Sequence, residues 1–121
     1  MADGDPWLDG VRARALALPE AAETVTWGLP TFRAGRRPFA VYLSADDDHG
    51  PAVVVRPDDD ERAALEADDR FFVPAFFGAH GGLALDLAAA AVDWSEVAEL
   101  LDASYRHVAL QRMLRALDQR P

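Results

Sequence analysis

Residues 24–44 read TVTWGLPTFRAGRRPFAVYLS, and the turns inside this stretch decide the fold. Thr24-Val25-Thr26-Trp27 is β-branched and aromatic and predicts a short strand, interrupted by Gly28-Leu29-Pro30. Thr31 to Ala34 resumes extended structure, Gly35-Arg36 is a two-residue turn, and Pro38 to Ser44 is the next strand. There Phe39, Val41 and Leu43 alternate with Ala40, Tyr42 and Ser44, the pattern of a strand buried on one face. Past the solvated turn Asp46-Asp47-Asp48-His49-Gly50, Ala52 to Val55 is strand again. Connections this short predict an antiparallel meander of three strands, the first of them interrupted.

Helices flank the meander. Asp5 is a suitable N-cap and Pro6 a suitable first residue for a helix carrying Leu8, Val11, Ala15 and Leu18 on one side; Pro19 ends it. Asp58, with Glu61 three residues on, has the capping-box spacing of a second helix, which Asp68-Asp69 closes. Phe71-Phe72-Val73 and Ala75-Phe76-Phe77, split by Pro74, predict an extended segment at a sheet margin, because proline cannot donate to a ladder. Gly78 to Gly82 is a loop, Leu83, Leu85 and Leu87 mark a strand, and residues 88–91 are a connection. Asp93 and Glu96 begin the last helix, whose apolar face runs through Val97, Leu100, Leu101, Ser104 and Val108 and extends to Met113 and Leu117. The sum is an α+β protein, a single compact domain of order α-β(3)-α-β(2)-α with helices packed on an antiparallel sheet. It covers residues 1–121, with a core over about 6–109 and a helical extension over 110–121.

At 121 residues, 50% hydrophobic and 27% charged, the chain has the length and composition of one globular domain. It contains no cysteine, so disulfides, thiolate catalysis and cysteine-ligated metal centres are excluded. The start, MADGDPWLDG, is acidic rather than basic and then apolar, so no signal peptide is expected and the expected location is cytoplasmic. The net charge is −9, yet residues 24–45 and 103–121 each sum to +3, which leaves −15 for the rest. Such a chain repels nucleic acid at long range unless its charges segregate. All twelve basic residues are arginine, a choice that codon bias in a GC-rich bacterial genome also explains.

Chemistry-bearing patterns are few. Phosphate-loop, nucleophile-elbow and zinc-helix motifs do not occur. Asp46, Asp48 and Gly50 resemble the start of a calcium loop, but its sixth and twelfth positions are Pro51 and Pro57. His49, His80 and His107 fall in a turn, a loop and a helix, with no shared spacing for a metal. Asp58-Asp59-Asp60-Glu61 is read as an exposed helix start. No cofactor and no metal are expected. Trp27 is read as a core plug at a structural corner, the alternative being the rigid aromatic wall of a groove. Arg33, Arg36 and Arg37 form a solvated hairpin tip or an anion contact. Arg33 and one of Arg36 or Arg37 are expected to flank a carboxylate, from this chain or from a bound partner, with Asp58–Glu61 the internal source.

Seven segments in order resemble the MmcQ/YjbR family of small bacterial proteins. They are Leu18-Pro19-Glu20, WGLPTFR at 27–33, Phe39-Ala40, Val54-Val55-Arg56-Pro57, FFVPAFFG at 71–78, Leu83–Leu87 and Ser104-Tyr105. The resemblance spans residues 8–109 and implies a fold comparable to type III secretion chaperones. Family members often carry a tryptophan near the start of the final strand. Here His80-Gly81-Gly82-Leu83 has none, so that aromatic contact is lost or comes from elsewhere, with Phe77 the candidate. The family carries no agreed catalytic residues and is commonly labelled DNA-binding. Under the resemblance, the surface-site candidates are Trp27, Arg33, Arg36, Arg37, Arg56, Tyr105 and Arg106. The reading is a non-enzymatic binding module for a protein segment or small anion. DNA binding is the alternative, disfavoured by the net charge.

Overall fold

The structure, a computed structural model, describes residues 5–119. Its elements are α1 (Pro6–Ala15), β1 (Ala21–Thr26), β2 (Leu29–Ala34), β3 (Arg37–Leu43), β4 (Ala52–Val55), α2 (Asp59–Glu66), β5 (Phe71–Phe72), a 3-10 turn at Phe77–His80, β6 (Leu83–Asp86), α3 (Trp94–Val108) and α4 (Gln111–Asp118). All six strands form one antiparallel sheet in the order β1-β2-β3-β4-β6-β5. The α+β class and single domain are as the patterning predicts. Two elements differ in number, and residues 120 and 121 of the expected extension lie outside the described residues.

The interrupted first strand is two strands. The chain reverses at Trp27-Gly28, with φ of 52° and 77°, and Thr26 pairs with Leu29. Positive φ at both central residues is what a tight hairpin turn of the primed kind demands, and Gly28 meets that demand without strain. Leu29-Pro30 therefore belongs to β2, and the meander has four strands rather than three. Turning at 27–28 also puts the Trp27 side chain at a hairpin tip, 74% exposed, so it is not the expected core plug.

The last helix is likewise two. The apolar spacing continues past Val108, but Ala109 and Leu110 are extended, with ψ of 155° and 158°. In an uninterrupted helix the Val108 carbonyl would accept from the amide four residues on. Instead it accepts from Arg37 Nη1 at 3.0 Å, across from the Gly35-Arg36 turn. The chain then re-enters a helix that returns Met113 and Leu117 to the core.

The helical face of the sheet holds the main core, in which Val11, Phe32, Tyr42, Val55, Leu101 and Tyr105 are all but fully buried. Gly10 of α1 lets the Trp94 ring lie against the backbone, since a Cβ there would come within 2.2 Å of it. All three predicted caps are present. Asp58 accepts from the Glu61 amide, Asp93 from those of Ser95 and Glu96, and Asp5 from those of Trp7 and Leu8. Asp5 has a second task, because its other oxygen accepts from the Tyr42 hydroxyl at 2.7 Å and ties α1 to β3. Burial and this carboxylate together push the Tyr42 hydroxyl well above the usual tyrosine range. Replacing Asp5 with Ala removes the cap and orphans a buried hydroxyl, and is expected to cost about 2–4 kcal/mol in urea denaturation. A loss under about 0.5 kcal/mol would show that neither contact bears on stability.

Arg70 fixes the far edge. It donates to both oxygens of Glu96 at 2.7 and 2.8 Å and also to Asp68, joining the β5 end to the start of α3. Hydrogen bonds from the Arg70 side chain and amide lower Asp68 from 3.8 to about 2. The Glu23 carboxyl, held by Arg12, is lowered too. Both groups are depressed on folding, so their contribution is present at neutral pH and is lost as pH falls through the folded values. The melting temperature is therefore expected to drop as pH falls from about 4 to 2, and Arg70→Met should flatten that acid limb, measured by circular dichroism.

Candidate functional site

The alternation on β3 does not hold through its length. Phe32 pairs with Ala40 but Arg33 pairs with Pro38, so Phe39 is an extra residue in the ladder, a β-bulge. Strict alternation would put the Phe39 ring beside Val41 and Leu43. The bulge turns it to the helical face with Ala40 and Tyr42, where it is fully buried and meets the edge of Tyr105 at 5.4 Å. Val41, with Val54 and Ala84, lines the opposite face.

Ser104 of α3 holds this arrangement. Its hydroxyl, 1% exposed, donates to the Phe39 carbonyl and accepts from the Arg56 amide at 2.8 Å, one step past the last β3–β4 pair, Ala40 with Val55. One side chain thus satisfies two backbone groups and sets the direction in which Arg56 leaves β4.

On the face that Phe39 vacates lies a cleft of about 300 Å³. Thr31, Val41 and Val54 belong to its floor, and Trp27 and Phe76 to its rim. Trp27 comes from the β1–β2 tip and Phe76 from the loop after β5, and their rings meet edge to face at 4.9 Å. Phe76 also contacts Phe77 at 5.1 Å and His80 at 4.9 Å. This loop is held in place by α2, whose Arg62 donates to the Gly81 and Gly82 carbonyls.

Arg33 and Arg56 supply the charge. Arg33 donates to Thr24 Oγ1, Thr26 Oγ1 and the Arg36 carbonyl at 2.8–3.1 Å, and Arg56 to the His80 carbonyl at 2.9 Å. All four acceptors are neutral, and among the described residues no Asp or Glu lines the cleft. By contrast Arg12, Arg62, Arg70, Arg106 and Arg112 each have a carboxylate partner. Among the described residues, then, both arginines of the cleft are held by neutral groups alone.

Among the described residues Arg33 has no carboxylate partner, so Asp58–Glu61 is not the internal source expected for it. Asp58 and Glu61 lie instead in a separate depression with Arg106 and His107, where burial and then the charge of Asp58 raise the Glu61 carboxyl. Of the seven candidates, the fold brings Trp27, Arg33 and Arg56 to the cleft. Arg36 contributes only its carbonyl, through Arg33, and Arg37 turns to Val108. Tyr105, expected at the surface, is fully buried and donates to the Pro19 carbonyl. Arg106 is paired with Asp102 and Asp118. The basic segments do meet, at the Arg37–Val108 contact, but Arg106 and Arg112 are neutralised there by acids. Phe76 and His80 were not singled out as site residues; the aromatic density of 71–77 was the only signal for them.

The fold and cleft define a class, a small α+β domain whose sheet is covered by helices on one face and opens as an aromatic-rimmed cleft on the other. The YjbR family model matches residues 16–107, and the chain belongs to that family. Among solved structures it is similar to Deinococcus radiodurans protein DR2400, described by the family domain DUF419. That match has a TM-score of 0.70 at 18% identity and covers 92% of this chain and 87% of the other, a likeness of fold. The comparison with curated proteins gave no match.

The geometry separates cleft from scaffold. Trp27→Ala is expected to leave stability within about 0.5 kcal/mol, since the ring is exposed. Ser104→Ala, which orphans the Phe39 carbonyl and the Arg56 amide, is expected to cost about 1–3 kcal/mol in the same denaturation assay. Equal effects would mean that Trp27 is structural after all.

Proposed function

We propose that this protein is a binding module whose site is the cleft between Trp27, Arg33, Arg56 and Phe76, and that its ligand is a small organic anion. The observation that carries the reading is the pair of arginines with neutral partners only, set in an apolar and aromatic lining. An arginine already fixed by three hydrogen bonds loses little freedom when it meets an anion. The volume of about 300 Å³ falls at the low end of small-molecule sites. His80 has no carboxylate beside it in the lining to form an acid–base pair, so the donors and rings favour retention of a ligand over its conversion.

DNA is the competing partner. Its support is that Arg36 and Arg37, like Arg33, have no carboxylate partner among the described residues; pairing at Arg106 and Arg112 weighs against it. Amide shifts in a nitrogen-15 NMR titration with a panel of small carboxylates, sulfonates and phosphates test the reading. Shifts are expected at 26–33, 54–56 and 76–82, and Arg33→Ala or Arg56→Ala should weaken binding about tenfold. Binding of duplex DNA with a log–log salt slope of about −3 to −5, with the cleft amides unmoved, would overturn it.

A further inference from the structure

The cleft is more selective in its chemistry than a positive hollow. Two of its rim residues, neither of them glycine, stand on left-handed backbone. Trp27 has φ 52°, and Phe76 has φ 66° and ψ −59°. Phe76 is the centre of a γ-turn closed by the Phe77 amide on the Ala75 carbonyl at 2.7 Å, a strained form of that turn. Such positions are held only where the surroundings impose them, and they concentrate where a side chain is being aimed. Burial does not account for the aim, because Phe76 is 53% exposed and Trp27 more so. The hairpin turn sets the backbone of Trp27, and the γ-turn at Phe76 brings the second ring to it edge to face at the mouth of the cleft, with Phe77 and His80 alongside.

Opposite this aromatic rim, Arg33 is held side-on by the two threonine hydroxyls of β1 and by the Arg36 carbonyl. Those contacts occupy three of the five guanidinium N–H bonds. Two are left, which is the number a planar carboxylate takes in a forked pair.

We propose that the cleft takes a planar aromatic carboxylate. Its ring lies against Trp27, Phe76 and Phe77 over Val54; its carboxylate accepts from Arg33, and Arg56 adds the second positive charge. This rests on the reading of the cleft as an anion site and narrows it to one ligand class. A ring ligand gains edge-to-face and stacking contacts that an aliphatic one does not. A carboxylate brings a single charge into a largely apolar lining, whereas a phosphate monoester brings nearly two and a larger desolvation cost for the same two donors. The small volume admits one or two fused rings with an acid group.

The test is a set of NMR titrations of the full chain with 2-naphthoate, cyclohexanecarboxylate, 2-naphthyl phosphate and 2-naphthalenemethanol. The expected result is that 2-naphthoate shifts the cleft amides with a Kd at least about threefold below that of cyclohexanecarboxylate. It should also bind about tenfold more tightly than the neutral alcohol and more tightly than the phosphate ester. Trp27→Ala, checked for an unchanged spread of amide signals, should abolish the preference for the aromatic acid while leaving the cyclohexane acid bound as before. Equal affinity for the two carboxylates, or tighter binding of the phosphate ester, overturns the ligand class and leaves the cleft an anion site. If none of the three anions moves the cleft amides, the anion-site reading falls with it.

Discussion

The hydroxyl of Ser104 joins three things that would otherwise be independent: helix α3, the bulge at Phe39 and the exit of Arg56 from the sheet. A buried carbonyl or amide without a partner is costly. By accepting and donating at once, one small buried side chain satisfies the Phe39 carbonyl and the Arg56 amide where the β3–β4 ladder ends. The consequence runs outward. Phe39 turns its ring into the helical core against Tyr105, while the cleft on the opposite face is lined by Phe39 and its neighbours Pro38, Ala40 and Val41. Ser104 thus fastens α3 to the sheet beside Arg56, one of the residues lining the cleft.

Charge is distributed to match. Most of the acidic excess is spent on caps and on tethers between elements, as with Asp5, Asp58, Asp93, Glu23 and Glu96. Arg12 and Arg70 fasten elements through carboxylates and Arg37 through the Val108 carbonyl, while Arg33 and Arg56 at the cleft are held by threonine hydroxyls and backbone carbonyls. An exposed ion pair contributes little to stability, but neutral anchoring has another effect. It holds a guanidinium still without cancelling its charge. That combination suits recognition of an anion more than support of a fold.

Much of this was legible in the sequence where the signal is local. Asp5, Asp58 and Asp93 cap the helices as their positions predict, the Gly35-Arg36 turn is in place, and Phe71-Phe72 forms the margin strand, although Ala75-Phe76-Phe77, expected to be extended, turns into the 3-10 segment instead. The misreadings arise where a tertiary contact overrides local pattern. Trp27 reads as core because it is large and apolar, whereas the turn it belongs to projects it into solvent. Alternation groups Phe39 with Val41, and a bulge reverses one residue without any mark in the strand's composition. The break after Val108 has no glycine or proline; it depends on Arg37, 71 residues away in the chain, taking the carbonyl that helix continuation requires. The cleft itself gathers residues from 26 to 82, and only the sheet order brings them together.

The central claim is that the Phe39 ring sits on the helical side of the sheet and leaves the other side open. Nuclear Overhauser contacts of an assigned Phe39 ring in the free protein test this directly. The account predicts cross-peaks from its ring protons to the Tyr105 ring and none to the Val54 methyls or the Phe77 ring. Cross-peaks to Val54 and Phe77, without those to Tyr105, would place the ring in the cleft and contradict it.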